Sequence, residues 1–291
     1  MQIALFLAPP ATGRMPVPLV ETLRRAWGGT ALDWLAPGVA VEFGVPAVPD
    51  GLAEAQAAAR AEGVDLALIP AEGRRKRLLI ADMDSTMIGQ ECIDELADLA
   101  GVGDRVAGIT ARAMAGELDF EAALVERVSL LAGLDRGVID RVLSERITLA
   151  PGGPALVATM RAHGARTALI SGGFVQFTEA VAARLGMDEH RANRLIEEGG
   201  RLTGDVARPI LGRDAKVAAL HEIAARDGIP LSGTLAVGDG ANDLGMIAAA
   251  GLGVALHAKL AVAAAAPVRI DHGDLTALLY LQGYRRADFA E

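Results

Sequence analysis

From residue 152 onward, short apolar runs alternate with helical segments. The runs are "ARTALI" (165–170), "TLAVG" (234–238), "LGVAL" (252–256) and "PVRI" (267–270), with stretches such as "FTEAVAARLG", "DAKVAALHEIAARDG", "NDLGMIAAA" and "KLAVAAAA" between them. Strands that are apolar on both faces are buried on both sides, and parallel neighbours need a crossover long enough to hold a helix. The alternation predicts an α/β fold with a doubly wound parallel sheet, whose ligands bind outside the carboxyl ends of the strands. One earlier run belongs with these. In "RLLIADMDSTMIGQE" (77–91), Leu78, Leu79, Ile80 and Ala81 lead straight into Asp82 and Asp84. Two carboxylates so close repel, and desolvating either costs several kcal/mol unless a cation compensates.

The rest of the chain divides around this core. Residues 1–70 read as strand, helix, strand, strand, helix, strand, and a βαββαβ order predicts a small ferredoxin-like sandwich. The polar, basic "PAEGRRKR" (70–77) reads as a solvated connector, with 71–77 as the linker. The core then comprises 78–90 and 149–291. Between its two parts, 91–148 shows helical periodicity and no convincing strand, which predicts a helical cap inserted after the first core strand. A hairpin turning at Gly199–Gly200 is expected within "NRLIEEGGRLTGDVA" (193–207).

Composition narrows the partners. With 52% hydrophobic residues in a 291-residue chain, a large aliphatic core can be buried. A net charge of −9 argues against nucleic acid or an anionic membrane as the main partner. No apolar stretch reaches the roughly 18 residues of a spanning helix. The N-terminal "MQIALFLAPP" lacks the basic flank of a signal peptide, and the single cysteine, Cys92, excludes an intrachain disulfide. A cytoplasmic protein with a small-molecule substrate is expected. Of 28 basic residues only Lys76, Lys216 and Lys259 are lysine, so each invites the question of whether Arg would fail there.

Four features fall at strand ends or helix starts: Asp82 and Asp84; Ser171 in "SGGF"; Asp239 and Asp243 in "VGDGANDLG"; and Lys216 in "DAKVAAL". Asp82, Asp84 and Asp239 offer hard oxygen donors suited to Mg²⁺, which supplies the missing positive charge. Ser171 can donate a hydroxyl hydrogen bond to a phosphoryl oxygen, and Gly172 and Gly173 leave backbone N–H groups open to the same anion. Lys216 is a compact charge able to neutralise a carboxylate and a transferring phosphoryl group. Taken singly, a D-x-D is most often a solvated turn, Ser-Gly-Gly ordinary loop chemistry, and a helical Lys a surface residue. Together, in this order, they describe a phosphoryl-transfer site.

"DMDST", "SGG", Lys216 and "GDGANDLGM" match in order the four motifs of the haloacid-dehalogenase superfamily, and the chain resembles that superfamily. The resemblance implies a Rossmann-like core with a cap between the first two motifs. Within it, "DMDSTMIGQECIDELADLAG", "ITARAMAGELDFEAALVERVSLLAGL" and "SGGFVQFTEAVAARLGM" resemble the phosphoserine phosphatase family, along nearly all of residues 77–285. Residues 1–70 look like the ACT-type domain that some bacterial members carry, which implies a regulatory or assembly role and a homodimer through this unit. The family activity would be Mg²⁺-dependent hydrolysis of O-phospho-L-serine through an aspartyl-phosphate, the last step of serine biosynthesis. Asp82 would be the nucleophile and Asp84 the general acid and base. Asp82, the backbone carbonyl of Asp84 and Asp239 would hold Mg²⁺, with Asp243 in support. Ser171, Gly172 and Lys216 would bind the phosphoryl oxygens, and Asn242 would complete the pocket.

Substrate choice falls to the cap. Phe120, Leu124, Arg127 and Leu131 share one helical face, and the Arg127 fork on that apolar stripe suits a carboxylate, although snorkelling also explains it. Glu91 can pair with an ammonium or simply favour a helix start. The resemblance assigns Glu91 and Arg127 to the amino-acid head group, with Phe120 closing the pocket. Rival readings are a phosphatase or phosphotransferase for another small phosphomonoester, and a phospho-accepting signalling switch. The switch is disfavoured by the long cap and by Asp84, which would shorten the lifetime of an acyl-phosphate.

Overall fold

The computed structural model describes residues 1–114 and 117–290; Ala115 and Gly116, which fall within the helical segment expected at 91–148, and Glu291 lie outside the described residues. The N-terminal unit comprises β1 (Gln2–Leu7), α1 (Val17–Ala26), β2 (Asp33–Ala36), β3 (Ala40–Val45), α2 (Leu52–Ala61) and β4 (Asp65–Pro70), the βαββαβ order expected. Its strands pair antiparallel in the order β2-β3-β1-β4. Alternation along β1 gives the sheet two apolar faces. Ala4 and Phe6 cluster with Val20 of α1 and Ala55 and Ala59 of α2. Ile3, Leu5 and Leu7 instead join the cluster that contains Leu278, Leu279 and Tyr280 of the C-terminal region. Neither face is left to solvent.

Polar contacts lock this docking. Asp65 is buried, and its carboxylate accepts the backbone N–H groups of Asp271 (2.8 Å), His272 (3.1 Å) and Gly273 (2.8 Å). Arg74 departs from the solvated connector expected at 70–77. Its guanidinium grips Glu42 bidentately at 2.8 and 2.7 Å and donates to the carbonyls of Tyr280 (2.9 Å) and Leu281 (3.0 Å). Arg75 stacks over the Tyr284 ring, 3.2 Å from its centroid. The Glu42 carboxylate, several carbonyls and the Tyr284 ring converge on this basic segment, a convergence that local composition does not encode.

Beyond it come β5 (Leu78–Ala81) and four helices, α3 (Cys92–Leu99), α4 (Gly103–Met114), α5 (Phe120–Ser129) and α6 (Gly137–Glu145). The chain re-enters the core through α7 (Gly153–Ala162), β6 (Arg166–Phe174), α8 (Val175–Leu185) and β7 (Glu189–Asn193). The hairpin of β8 (Leu195–Glu198) and β9 (Arg201–Val206) turns at Gly199 and Gly200 as expected. It hangs on the helical segment, where Gly133 N–H donates to Leu202 O at 2.8 Å. Next follow α9 (Arg213–Arg226), β10 (Thr234–Gly238), α10 (Leu244–Ala249), β11 (Leu252–Leu256), α11 (Leu260–Ala265), β12 (Val268–Ile270) and α12 (Ala277–Leu281).

The core sheet has the order β12-β11-β10-β5-β6-β7 and is parallel throughout. After β5 the chain builds outward through β6 and β7, then returns to β10 on the other side, so the order reverses between β5 and β10. In a doubly wound sheet that crevice is where ligands bind. Two details differ from the sequence expectation. β6 runs on through Ser171–Gly172–Gly173 to Phe174 instead of stopping at Ile170. β7, "EHRAN", carries no apolar run because it is an edge strand with one neighbour. Asn193 explains both, since its side chain donates to Gly172 O (2.8 Å) and accepts from Leu211 N–H (2.6 Å). No helix of the described residues is long and apolar enough to cross a membrane.

Candidate active site

The switch point brings the two expected acidic strand ends together. Asp82 follows β5, and its N–H donates to Val237 O of β10 at 3.0 Å. Asp239 follows β10 one turn before Asp243. The carboxylates of Asp82, Asp239 and Asp243 each place an oxygen within 4.8 Å of the others. Lys216, on α9 and fully enclosed, reaches Asp82 Oδ1 at 2.8 Å and Asp243 Oδ1 at 2.6 Å. Three carboxylates facing one ammonium leave two negative charges uncompensated. Burial and the charge of Asp82 accordingly push Asp243 up to about 7, against the pull of Lys216. The same two causes raise Asp239, while Thr86, Lys259 and Lys216 draw it back. Burial works to lower the Lys216 pKa, but Asp82 and Asp243 overcome it and hold the ammonium above its ordinary value. Hard oxygen donors carrying an excess charge of that size fit one divalent cation.

Asp84 plays a different part. Its carboxylate stands outside the acidic set, and Oδ1 accepts Cys92 N–H at 3.1 Å at the start of α3. The Asp84 carboxylate, which was expected among the hard oxygen donors, is thus not part of the close acidic set. Burial first, then the negative field of Glu91, pushes its carboxyl up to about 8. A carboxyl held protonated at neutral pH can deliver a proton. Gly173 allows the approach, because a Cβ there would lie 2.7 Å from Asp84 Oδ2. The turn between Asp84 and the cap is tight: Ser85 takes a left-handed φ of 54°, and its hydroxyl donates to Glu91 Oε1 at 2.7 Å.

A cavity of about 100 Å³ opens above these groups. That is far below the roughly 300–1,000 Å³ of clefts for drug-sized ligands, so it suits a small metabolite. Asp82, Asp84, Ser171, Gly172, Asp239 and Asn242 line it together with Glu91, Phe120 and Arg127. Ser171 is buried, and its Oγ accepts Gly173 N–H at 2.9 Å, which leaves the hydroxyl proton free to donate. Phe120 opens α5, where Asp119 caps the helix through Ala122 N–H (2.7 Å). Its ring packs on Gly172, where a Cβ would fall 3.0 Å from Cζ. Arg127 is half-buried; burial lowers its pKa and Asp94 and Glu91 raise it, while its Nε donates to Ala123 O at 3.2 Å. All the candidate catalytic, metal and substrate residues named from sequence thus line one cavity or, for Lys216 and Asp243, contact its lining residues.

Two neighbours escaped the sequence reading. Thr86 is buried and donates to Asp239 Oδ1 at 3.1 Å, orienting that carboxylate. Lys259 lines the cavity, and its backbone N–H points at Asp239 O, 3.4 Å away. The rarity of lysine was the one signal available for Lys259; for Thr86 it was its place as the last residue of the quoted first motif, 82–86.

The fold and the four converging motifs define a haloacid-dehalogenase hydrolase, and the haloacid dehalogenase-like hydrolase family model matches residues 79–248. The chain belongs to that family. Its similarity narrows further among curated proteins. It is 46% identical to a phosphoserine phosphatase of Streptomyces coelicolor over 256 residues, 87% of this chain and 62% of that protein. It is 44% identical to a phosphoserine phosphatase of Lactococcus lactis over 204 residues, 70% of this chain and 94% of the relative. The chain thus spans less than two thirds of the Streptomyces relative and nearly all of the Lactococcus one. Among solved structures, a haloacid-dehalogenase family hydrolase from Salmonella enterica serovar Typhi superposes with a TM-score of 0.87 at 29% identity, covering 97% of this chain and 98% of that one.

Proposed function

We propose that the chain is a Mg²⁺-dependent phosphatase that hydrolyses O-phospho-L-serine to L-serine and phosphate. One observation carries the reading: a single small cavity is lined both by Asp82 and Ser171, suited to a phosphoryl group, and by Glu91 and Arg127, suited to an amino-acid head group. Similarity to phosphoserine phosphatases supports it. Asp82 attacks phosphorus, and the bond from phosphorus to the seryl oxygen breaks. Asp84 gives that oxygen its proton, which its raised pKa keeps available. Its carboxylate then takes a proton from the water that attacks the aspartyl-phosphate, which frees phosphate and restores Asp82. Ser171, the Gly172 N–H and Lys216 hold the phosphoryl oxygens. Glu91 takes the ammonium of the substrate, Arg127 its carboxylate, and Phe120 and Asn242 shape the pocket between. Asp82, Asp239 and the Asp84 carbonyl would hold Mg²⁺, with Asp243 in support; the ion supplies positive charge against the phosphoryl oxygens. General acid–base catalysis contributes roughly 10²–10⁴ of an acceleration that approaches about 10²¹ for phosphomonoesters, so positioning and charge carry most of it.

The test is a panel of phosphorylated metabolites and p-nitrophenyl phosphate, assayed with Mg²⁺ and again with EDTA. L-Phosphoserine should lead the panel, activity should vanish with chelation, and Arg127→Ala should cost the phosphoserine reaction far more than the p-nitrophenyl one. Equal losses would move the reading to a phosphatase of another small phosphomonoester. A stable phosphoprotein without steady phosphate release would move it to a signalling switch. For residues 1–70 we propose an ACT-like assembly or regulatory role, with a homodimer through this unit. Its inner sheet face is already committed to the core, so the helical face and strand edges remain for that purpose. Sedimentation of the full chain with and without serine tests it.

A further inference from the structure

The structure accounts for two of the three lysines. Lys76 Nζ donates to the carbonyls of Gly73 and Ser232, both at 2.8 Å. Lys216 is held between Asp82 and Asp243. Lys259 is different: among the described residues its ammonium has no hydrogen-bond or ion-pair partner, yet it lines the catalytic cavity beside Asp239, Gly240 and Asn242.

The backbone that presents it is held firmly. His257 adopts a left-handed φ of 46°, unusual for a residue with a side chain. Its N–H donates to Ile270 O at 2.8 Å, and its Nε2 lies 2.7 Å from Gly273 O. Gly273 N–H in turn donates to Asp65 of the N-terminal unit. Two residues past His257, the Lys259 N–H faces the Asp239 carbonyl, and α11 begins at the next residue. Lys259 is exposed, and this backbone fixes where its stem leaves the cavity wall.

Charge says what is missing. A divalent ion would bring Asp82, Asp239, Asp243 and Lys216 to neutrality, so that set attracts phosphoryl oxygens only at close range and has no surplus positive charge to set against a phosphate dianion. Glu91 at the cavity edge repels the dianion, and Arg127 belongs to the cap, where it meets the other end of the substrate. A free ammonium on the core wall supplies the attraction. Lysine suits the place because a compact charge on a flexible stem can follow a phosphoryl group as it moves.

We propose that Lys259 is a substrate-binding residue whose ammonium pairs with the phosphoryl oxygens of the incoming phosphomonoester and of the phosphate product. The inference rests on the phosphatase reading of this cavity, but not on the identity of the alcohol. The experiment uses the Mg²⁺-loaded full chain and its Lys259→Met, Lys259→Gln and Lys259→Arg variants. Inorganic phosphate is the probe as a competitive inhibitor, with L-phosphoserine and p-nitrophenyl phosphate as substrates. Lys259→Met and Lys259→Gln should raise the phosphate inhibition constant and both KM values together by about tenfold, with a smaller effect on kcat. They should also flatten the fall of kcat/KM with salt, and Lys259→Arg should restore most of the loss. If phosphoserine is not the substrate, the parent enzyme itself handles it poorly, while the phosphate and p-nitrophenyl phosphate comparisons still report on Lys259. Phosphate inhibition changed by less than about twofold in both neutral variants overturns the inference, whether Tm holds or falls. So does a loss confined to phosphoserine.

Discussion

The protein encloses two charge clusters that differ in balance. Arg74 and Glu42 meet one to one, both ends of the fork engaged, with spare guanidinium donors taken by the carbonyls of Tyr280 and Leu281. At the floor of the cavity, Asp82, Asp239 and Asp243 face a single ammonium, which bonds only Asp82 and Asp243, and burial together with the charge of Asp82 pushes Asp239 and Asp243 toward protonation. The first cluster is complete and orients two pieces of chain. The second is incomplete and asks for a ligand. Desolvated charge is costly unless paired, so an enclosed surplus persists where something that binds later compensates it.

Three changes test that contrast. Asp82→Asn should lower kcat by about 10⁴ or more, because no other group can form the covalent intermediate. In EDTA the same variant should melt no earlier than the parent, since one of three crowded charges is gone; a large drop in Tm would mean the acidic set is structural. Glu42→Gln should do the opposite. It leaves an enclosed guanidinium short of its partner and should cost about 3–5 kcal/mol in denaturant unfolding, with kcat per folded molecule unchanged. The third change concerns Asp84, whose folded pKa of about 8 lies above its unfolded value near 3.9. Between those values the folded state binds the proton more readily than the unfolded chain, so stability falls as pH rises from about 4 to about 8 and levels off above. Metal-free Asp84→Asn should therefore exceed the parent by on the order of a few kcal/mol at pH 8 and converge with it near pH 4. Parental turnover should decline above about pH 8 as the acid is lost; a profile flat to pH 10 would remove Asp84 from proton transfer.

Much of the site could be read from the chain because its parts are local. Asp82 and Asp84 sit on one strand end, Asp239 and Asp243 on one turn, and an apolar run before each pair announces a buried strand. Arg127 could be picked out because it interrupts the otherwise apolar stripe of Phe120, Leu124 and Leu131. What could not be read depended on partners distant in sequence. Thr86 is an ordinary threonine until Asp239 accepts its hydroxyl, 153 positions away. β7 is polar and unremarkable until Asn193 bonds to Gly172 and Leu211, and those bonds carry β6 past the point where its apolar run stops. Arg74 reads as a solvated charge until Glu42 and two C-terminal carbonyls surround it.

The amino-acid order alone specified most of the strands and helices, the sheet class and the motif residues, because hydrophobic periodicity and turn chemistry act over a few neighbouring positions. Tertiary packing alone decided how many negative charges one lysine must face, which lysine stays unpaired at the cavity, and that the N-terminal sheet has no face to spare. Those outcomes follow from burial and electrostatic balance among groups hundreds of positions apart. Neither quantity exists until the chain has closed around them.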